Sequence, residues 1–182
     1  MISCEEDGLL NQSMNVNEEP FEVKKAIRLN VANETREDKK VVVKWQMRDN
    51  FGNIIESCEE ETEVKKLSSL WFERKELPGL SLYENYVSYQ LEDRGSIVSS
   101  GSVLFCPPKH FRFVDPELKV RCENDEIIVS SRYFAKNIEI RNENDDLILS
   151  DNYFDLNGGE KRVRILCGKP EKIRVRSVFD IR

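Results

Sequence analysis

Carboxylates and thiols are the side chains of this 182-residue sequence best equipped to do chemistry. Glu59, Glu60, Glu61 and Glu63 crowd into one stretch. Such a run could hold a cation or supply an acid–base pair. Calcium, however, needs about six to eight oxygens converging from a defined loop. A retaining glycosidase needs two carboxyl groups about 5–5.5 Å apart across a cleft. The run offers neither, because an extended strand sends Glu59 and Glu61 to one face and Glu60 to the other. It reads as a solvated edge strand whose charge blocks edge-to-edge pairing.

The five cysteines, Cys4, Cys58, Cys106, Cys122 and Cys167, are odd in number and contain no CxxC spacing. They predict reduced thiols and a cytoplasmic setting. The single histidine, His110, has no nucleophile motif beside it and reads as a packing or hydrogen-bonding residue at a domain junction. Zinc is excluded, since no His/Cys cluster exists. There is no GxSxG, P-loop, GxGxxG or HExxH. Lys172, Arg174 and Arg176 alternate as a solvated strand face. Trp71-Phe72, Tyr133-Phe134 and Tyr153-Phe154 each point one ring outward from a strand. An outward ring can stack on a sugar, though covering a neighbouring domain is the commoner use. No residue is therefore assigned a catalytic, cofactor-binding or metal-ligating role.

The elements that would position these groups are strands. Charge splits the chain: residues 1–106 hold 13 Lys+Arg against 20 Asp+Glu, a net of −7, and residues 107–182 hold 15 against 14, or +1. Neither half is basic enough to favour nucleic acid. No apolar run approaches the ~20 residues of a membrane span, and Met1–Asp7 lacks the basic and apolar regions of a secretion signal.

Ile2–Glu6 predicts a short first strand, followed by a polar loop in which Leu9, Leu10, Met14 and Val16 are apolar anchors. Ile27, Leu29 and Val31 alternate with Arg28 and Asn30, the pattern of a half-buried strand. Val41, Val43, Trp45 and Met47 share another buried face, with Trp45 as the aromatic plug between two sheets. Asp49–Asn53 is a hairpin turn. Strands follow over 54–66, 67–77, 86–91 and 97–105, about seven in all. Later strands are read over 118–122, 127–131, 132–141, 162–167 and 173–179. Ile138 and Ile140 face in while Glu139 and Arg141 face out. Val163, Ile165 and Cys167 face in, and Asn157–Glu160 reads as a turn.

Between the two sets of strands lies Val103–Pro116. Pro107 and Pro108 fix their own φ and push the preceding residues toward extended geometry. The stretch predicts a stiff, non-helical elbow, pinned by Phe111 and Phe113 to the body that follows. The fold class expected is all-β: two tandem antiparallel immunoglobulin-like β-sandwiches, residues 1–106 and 107–182, joined by a Pro-Pro elbow.

Pro107-Pro108-Lys109-His110-Phe111, followed by Asp115-Pro116-Glu117-Leu118, resembles the C-terminal region of glycoside hydrolase family 2 enzymes of the β-mannosidase type. Phe134-Ala135-Lys136, Ser150-Asp151-Asn152-Tyr153-Phe154-Asp155-Leu156, Gly159-Glu160 and the closing Val175–Asp180 are similar to the last domain of that family. Asn15-Val16-Asn17 and Asn30–Thr35 match it more loosely, and Asn157-Gly158 departs from it. The resemblance implies that the acid/base and nucleophile glutamates lie in a (β/α)8 barrel absent from this chain. It further implies that Met1 marks a cut and that the fragment is inactive alone. Its partners would be that barrel and the other domains of the parent enzyme. Among β-mannosides, β-galactosides and β-glucuronides, the tail favours the first as parent substrate. A carbohydrate-binding module that takes an oligosaccharide is the alternative.

Overall fold

The computed structural model describes residues 1–12 and 22–181. It divides into two compact units, one of Met1–Asp49 with Asn53–Phe111 and one of Asn50–Gly52 with Arg112–Arg182. Met14, Val16, Phe21 and the Asn15-Val16-Asn17 match lie outside the described residues.

The first unit contains β1 (Ile2–Asp7), β2 (Ala26–Asn33), β3 (Lys39–Asp49), β4 (Ile54–Val64), β5 (Ser68–Trp71), β6 (Lys75–Glu76), β7 (Asn85–Asp93) and β8 (Ser96–Leu104). One sheet runs β1-β2-β5, with β6 also on β2, and the other runs β4-β3-β7-β8. All pairs are antiparallel. The core forms where period-two apolar faces meet. Ile27, Leu29 and Val31 come from one sheet, and Val41, Val43, Trp45, Met47, Val87 and Leu91 from the other. Trp45 is buried between them, as its place mid-strand predicted.

Residues 67–77 do not form the single strand that their composition suggests. The chain leaves β2 after Trp71 and rejoins it at Lys75, so two short strands replace one. Phe72 turns toward the core at the break. Asn33, at the end of β2, ties the β2–β3 loop to the end of β4: its buried amide donates to the carbonyls of Glu37, Val64 and Lys65 at 2.8, 3.0 and 3.1 Å. In the β3–β4 hairpin Asp49 Oδ1 accepts from the Asn53 N–H at 2.9 Å, and Gly52 supplies the positive φ of 93°.

The diproline stretch is extended at Pro107, with φ −52° and ψ 137°. It then makes one 3-10 turn over Pro108–His110, contrary to the wholly non-helical expectation. Proline at the first position of such a turn lacks only an N–H that would have had no partner. The two phenylalanines do not both join the second body. Phe111 meets Tyr86 of the first unit edge-on at 6.4 Å, and Phe113 stacks on Phe134 of the second at 6.0 Å.

The second unit contains β9 (Lys119–Glu123), β10 (Glu126–Arg141), β11 (Ile148–Leu149), β12 (Phe154–Cys167) and β13 (Arg174–Arg176). The order is β11-β12-β10-β13, with β9 on the first half of β10. The two segments expected over 127–141 are one strand. Register shifts at Ser131/Phe134 and Ala135/Ile138 bend it, so both halves feed one core of Ile127, Val129, Ala135, Ile138 and Ile140.

Asn157–Glu160 is not a turn, because β12 runs through it. Gly158, at φ +87°, absorbs the bulge, and a Cβ there would sit 3.2 Å from the Arg132 carbonyl. Bulges of this kind favour glycine. Cys167, expected inside, is exposed at the end of β12. After β13 the chain makes a 3-10 turn at Val178–Ile181, where Asp180 accepts from the Ser177 hydroxyl, instead of extending the strand to Phe179.

Candidate functional site

A groove of mixed chemistry lies along one open side of the first unit. The β3–β4 register opposes Met47 to Glu56, Trp45 to Cys58, Val43 to Glu60 and Val41 to Thr62. Directly opposed residues share a face. β4 therefore turns Glu56, Cys58, Glu60 and Thr62 to the side on which β3 buries its apolar residues. The facing wall is the break between β5 and β6, with Trp71, Phe72, Glu73, Arg74 and Lys75. Ile27, Leu29, Val43 and Trp45 form the floor, and the groove encloses about 630 Å³.

Its charges are nearly balanced. Lys75 Nζ lies 2.8 Å from Glu56 Oε1, bridging the walls, and 5.9 Å from the Trp45 ring centre. Glu56 raises the Lys75 pKa. Trp71 is 42% exposed, with the Arg28 guanidinium 4.7 Å over its ring. Among the described residues Glu60 and Glu73 carry no ion pair. Trp71 opposes Asn30 in the β2–β5 register, so its ring lies with Arg28 on the outer face of that sheet, while Phe72 packs inward.

A second site of unusual electrostatics was missed in the sequence. Ile2, Cys4 and Glu6 alternate on the inward face of β1. Glu6 is 9% exposed, and its Oε2 has no hydrogen-bond partner among the described residues. Burial, and then the Asp7 charge, push its pKa up to about 7. The adjacent Asp7 projects to the other face. Hydrogen bonds from Arg74 and Gln12 hold its carboxyl below the usual range. An acid poised near neutrality is what a glycosidase general acid requires, but hydrolysis needs a second carboxylate across from it. Glu6 faces Gly8 and Phe105 instead: a Cβ at Gly8 would sit 2.8 Å from both Glu6 Oε2 and the Phe105 carbonyl. Burial pushes the nearby thiols of Cys106 and Cys4 up to about 11 and 12.

The acidic run divides as alternation requires. Glu59 pairs with Lys44 at 3.1 Å on the outer face, Glu63 bonds Lys65, and Glu60 enters the groove. β4 is an end strand of its sheet. Of the packing or hydrogen-bonding role expected for His110, packing is not seen: the residue is exposed in the 3-10 turn, where its backbone N–H donates to the Pro107 carbonyl at 2.8 Å. The five cysteines are unpaired, with Cys58 and Cys122 exposed. No group of three or more His, Cys, Asp or Glu among the described residues could hold a metal ion.

Glu139, expected to face solvent, is 8% exposed. It accepts hydrogen bonds from its cross-strand partner Arg176 and, at 2.8 Å, from the Tyr153 hydroxyl. Those bonds, Arg176 foremost, lower its pKa. Tyr153 is thus an exposed ring tethered by its hydroxyl. The rest of Ser150–Leu156 is equally structural. Asn152 bonds both the N–H and the carbonyl of Ile140 at 2.9 and 3.1 Å, and Asp155 accepts from the Asn137 N–H at 2.8 Å. Phe154 and Leu156 enter the core.

These two units have known counterparts. Residues 25–110 match the family model of the mannosidase Ig/CBM-like domain, and residues 113–181 match the mannosidase-type Ig-fold domain. Both units are mannosidase Ig-like domains. No curated protein sequence matches the chain. Among solved structures, β-D-mannosidase from Dictyoglomus thermophilum aligns over 97% of the chain with a TM-score of 0.68 at 15% identity. That likeness shows the fold. The alignment spans 21% of the Dictyoglomus chain, so the mannosidase Ig-like pair corresponds to about a fifth of that protein's length. A β-glucuronidase from Bacteroides uniformis aligns over 80% of this chain and 16% of its own, at 14% identity and a TM-score of 0.39, too distant to carry an argument.

Proposed function

We propose that these mannosidase Ig-like domains are the non-catalytic accessory region of a glycoside hydrolase family 2, β-mannosidase-like enzyme. The glutamates that cleave the glycosidic bond then lie in a (β/α)8 barrel outside these residues. One observation carries the reading: nearly the whole chain superposes on about a fifth of a β-mannosidase. The described residues support it, since they hold strands and two 3-10 turns and no α-helix, whereas a barrel alternates strands with helices. The run Ser150–Leu156 is spent on hydrogen bonds to β10 and on core packing.

In this reading the partners are the barrel and other domains of the same polypeptide, and neither nucleic acid nor membrane is engaged. A cytoplasmic setting is supported by the five unpaired cysteines. The test is the natural polypeptide that carries this region, expressed with and without it. The barrel-bearing polypeptide should hydrolyse aryl β-mannoside, and removal of residues 1–182 should lower its thermal midpoint by several degrees. A natural polypeptide with no barrel would overturn the reading. A second reading, a carbohydrate-binding module, is favoured by the match of residues 25–110 to the mannosidase Ig/CBM-like domain.

A further inference from the structure

We propose that strand β1 is a pH-dependent latch: with the Glu6 side chain protonated it closes the first unit against β8, and with Glu6 ionised it lifts from that seam. β1 lies between two edges. On one side it is laddered to β2, from Ile2 opposite Val31 to Asp7 opposite Ala26. On the other side the ties are sparse. The Ile2 N–H donates to Ser99 Oγ at 3.3 Å, and just past β1 the Leu9 N–H donates to the Phe105 carbonyl at 2.8 Å. Glu6 falls between those ties and points inward with Ile2 and Cys4. Its Oε2 is buried and has no hydrogen-bond partner among the described residues. A Cβ at Gly8 would meet that oxygen and the Phe105 carbonyl oxygen at the same 2.8 Å, so two acceptors crowd one spot at the seam. A proton on the carboxyl is the donor they lack.

The surrounding charges do not supply a partner. On the same strand, Asp7 is bonded by Arg74 and Gln12, and Glu5 lies opposite Arg28 on the outer face. Arg28 itself sits over the Trp71 ring. β2 sets the apolar Ile27 opposite Glu6. Beyond Ile27, β6 brings Lys75, but its Nζ is 2.8 Å from Glu56, and Glu76 falls on the other face with Ala26. The β5–β6 break adds Glu73, another acid. β7 presents the apolar Val87, and β8 contains no ionisable residue. Burial keeps the thiols of Cys4 and Cys106 neutral. The closed seam therefore accepts the neutral acid and disfavours the carboxylate, in line with a pKa raised to about 7 by burial and Asp7. Once the seam opens, water restores an ordinary carboxyl. Closure is thus unopposed below the ordinary glutamate pKa and weakens as pH rises toward and past 7. The sparse β1–β8 ties yield before the continuous β1–β2 ladder.

Amide hydrogen exchange of the full chain, read by resonance and corrected for the intrinsic rate, tests the latch. The Leu9 amide reports the seam, and the Val43 amide, on a strand paired on both sides, reports global unfolding. Between about pH 5.5 and about pH 7.5 the Leu9 opening equilibrium should rise about tenfold or more. In dilute urea that opening should barely change, because little surface is exposed, whereas Val43 exchange should climb. Glu6→Gln, neutral and nearly isosteric, should hold Leu9 at its low-pH protection throughout. Asp7→Asn removes the neighbouring charge and should move the rise to lower pH, so the latch stays testable if the Glu6 variant folds poorly. The proposal is overturned if Leu9 protection does not depend on pH, if Leu9 follows Val43 in urea, or if the pH dependence survives in Glu6→Gln.

Discussion

Two buried glutamates, one in each unit, meet opposite fates. Glu6 and Glu139 sit on strands at almost the same depth, 9% and 8% exposed. Glu139 has the Arg176 guanidinium and the Tyr153 hydroxyl as donors, and its pKa falls. Glu6 has a buried oxygen without a donor, and its pKa rises to about 7. Burial alone therefore does not set the protonation state; the partner does. The contrast extends to the units themselves. The second has the smaller apolar core and adds polar ties along Ser150–Leu156. The first relies on a larger core and leaves polar side chains unspent along its open side.

The comparison breaks hardest at Arg176. Arg176→Ala strands the Glu139 carboxylate in the interior and should cost about 2–3 kcal/mol, somewhat below the usual loss for a fully buried pair because Arg176 is half exposed. Urea unfolding followed by amide resonances of the second unit measures it. Glu139→Gln combined with Arg176→Met should recover part of the loss.

Gly8→Ala comes next. Its Cβ would press on Glu6 Oε2 and the Phe105 carbonyl, both at 2.8 Å, and a loss of about 1–3 kcal/mol is expected in urea unfolding read by tryptophan fluorescence. Both tryptophans belong to the first unit, so that signal is specific to it.

pH separates the two glutamates by sign. The folded pKa of Glu6 lies above its unfolded value, so its contribution is complete below about pH 4.5 and is lost as pH rises toward 7. Glu139, lowered, contributes above the unfolded value and loses that contribution as pH falls through its folded pKa. The first unit should therefore weaken from pH 5 to pH 8, and Glu6→Gln should abolish most of that slope, a gain of roughly 1–2 kcal/mol at pH 8 after allowance for solvent screening. A slope unchanged in Glu6→Gln contradicts the assignment. The smallest effect is chemical: Cys58, Cys122 and Cys167 should react with a thiol reagent in the native state, while Cys4 and Cys106 wait for unfolding.

Much of this architecture was legible in the residues. Period-two alternation located Trp45 and its neighbours, and the charged edge at β4, because strand faces are set by local geometry. What was not legible depended on pairing. Glu139 looked solvent-facing because its own strand says so; only the register with Arg176 and the fold-back of Tyr153 cover it. Asn157–Glu160 looked like a turn because glycines signal turns, and only the opposing bulge in β10 shows a continuous strand. The acidic run is solvated on an end strand, as read, and only the β3–β4 register shows that Glu60 lies on the side where β3 buries its apolar residues. Glu6 was within reach: Ile2 and Cys4 already pointed to its face.

The proposed function is that this region lends a hydrolase structure and leaves bond cleavage to residues elsewhere. The most direct measurement is turnover of aryl β-mannoside by this 182-residue polypeptide alone. No release of the aryl group above the buffer rate is expected, at any pH across the titration of Glu6. Measurable turnover that disappears in Glu6→Gln would contradict the account at its centre.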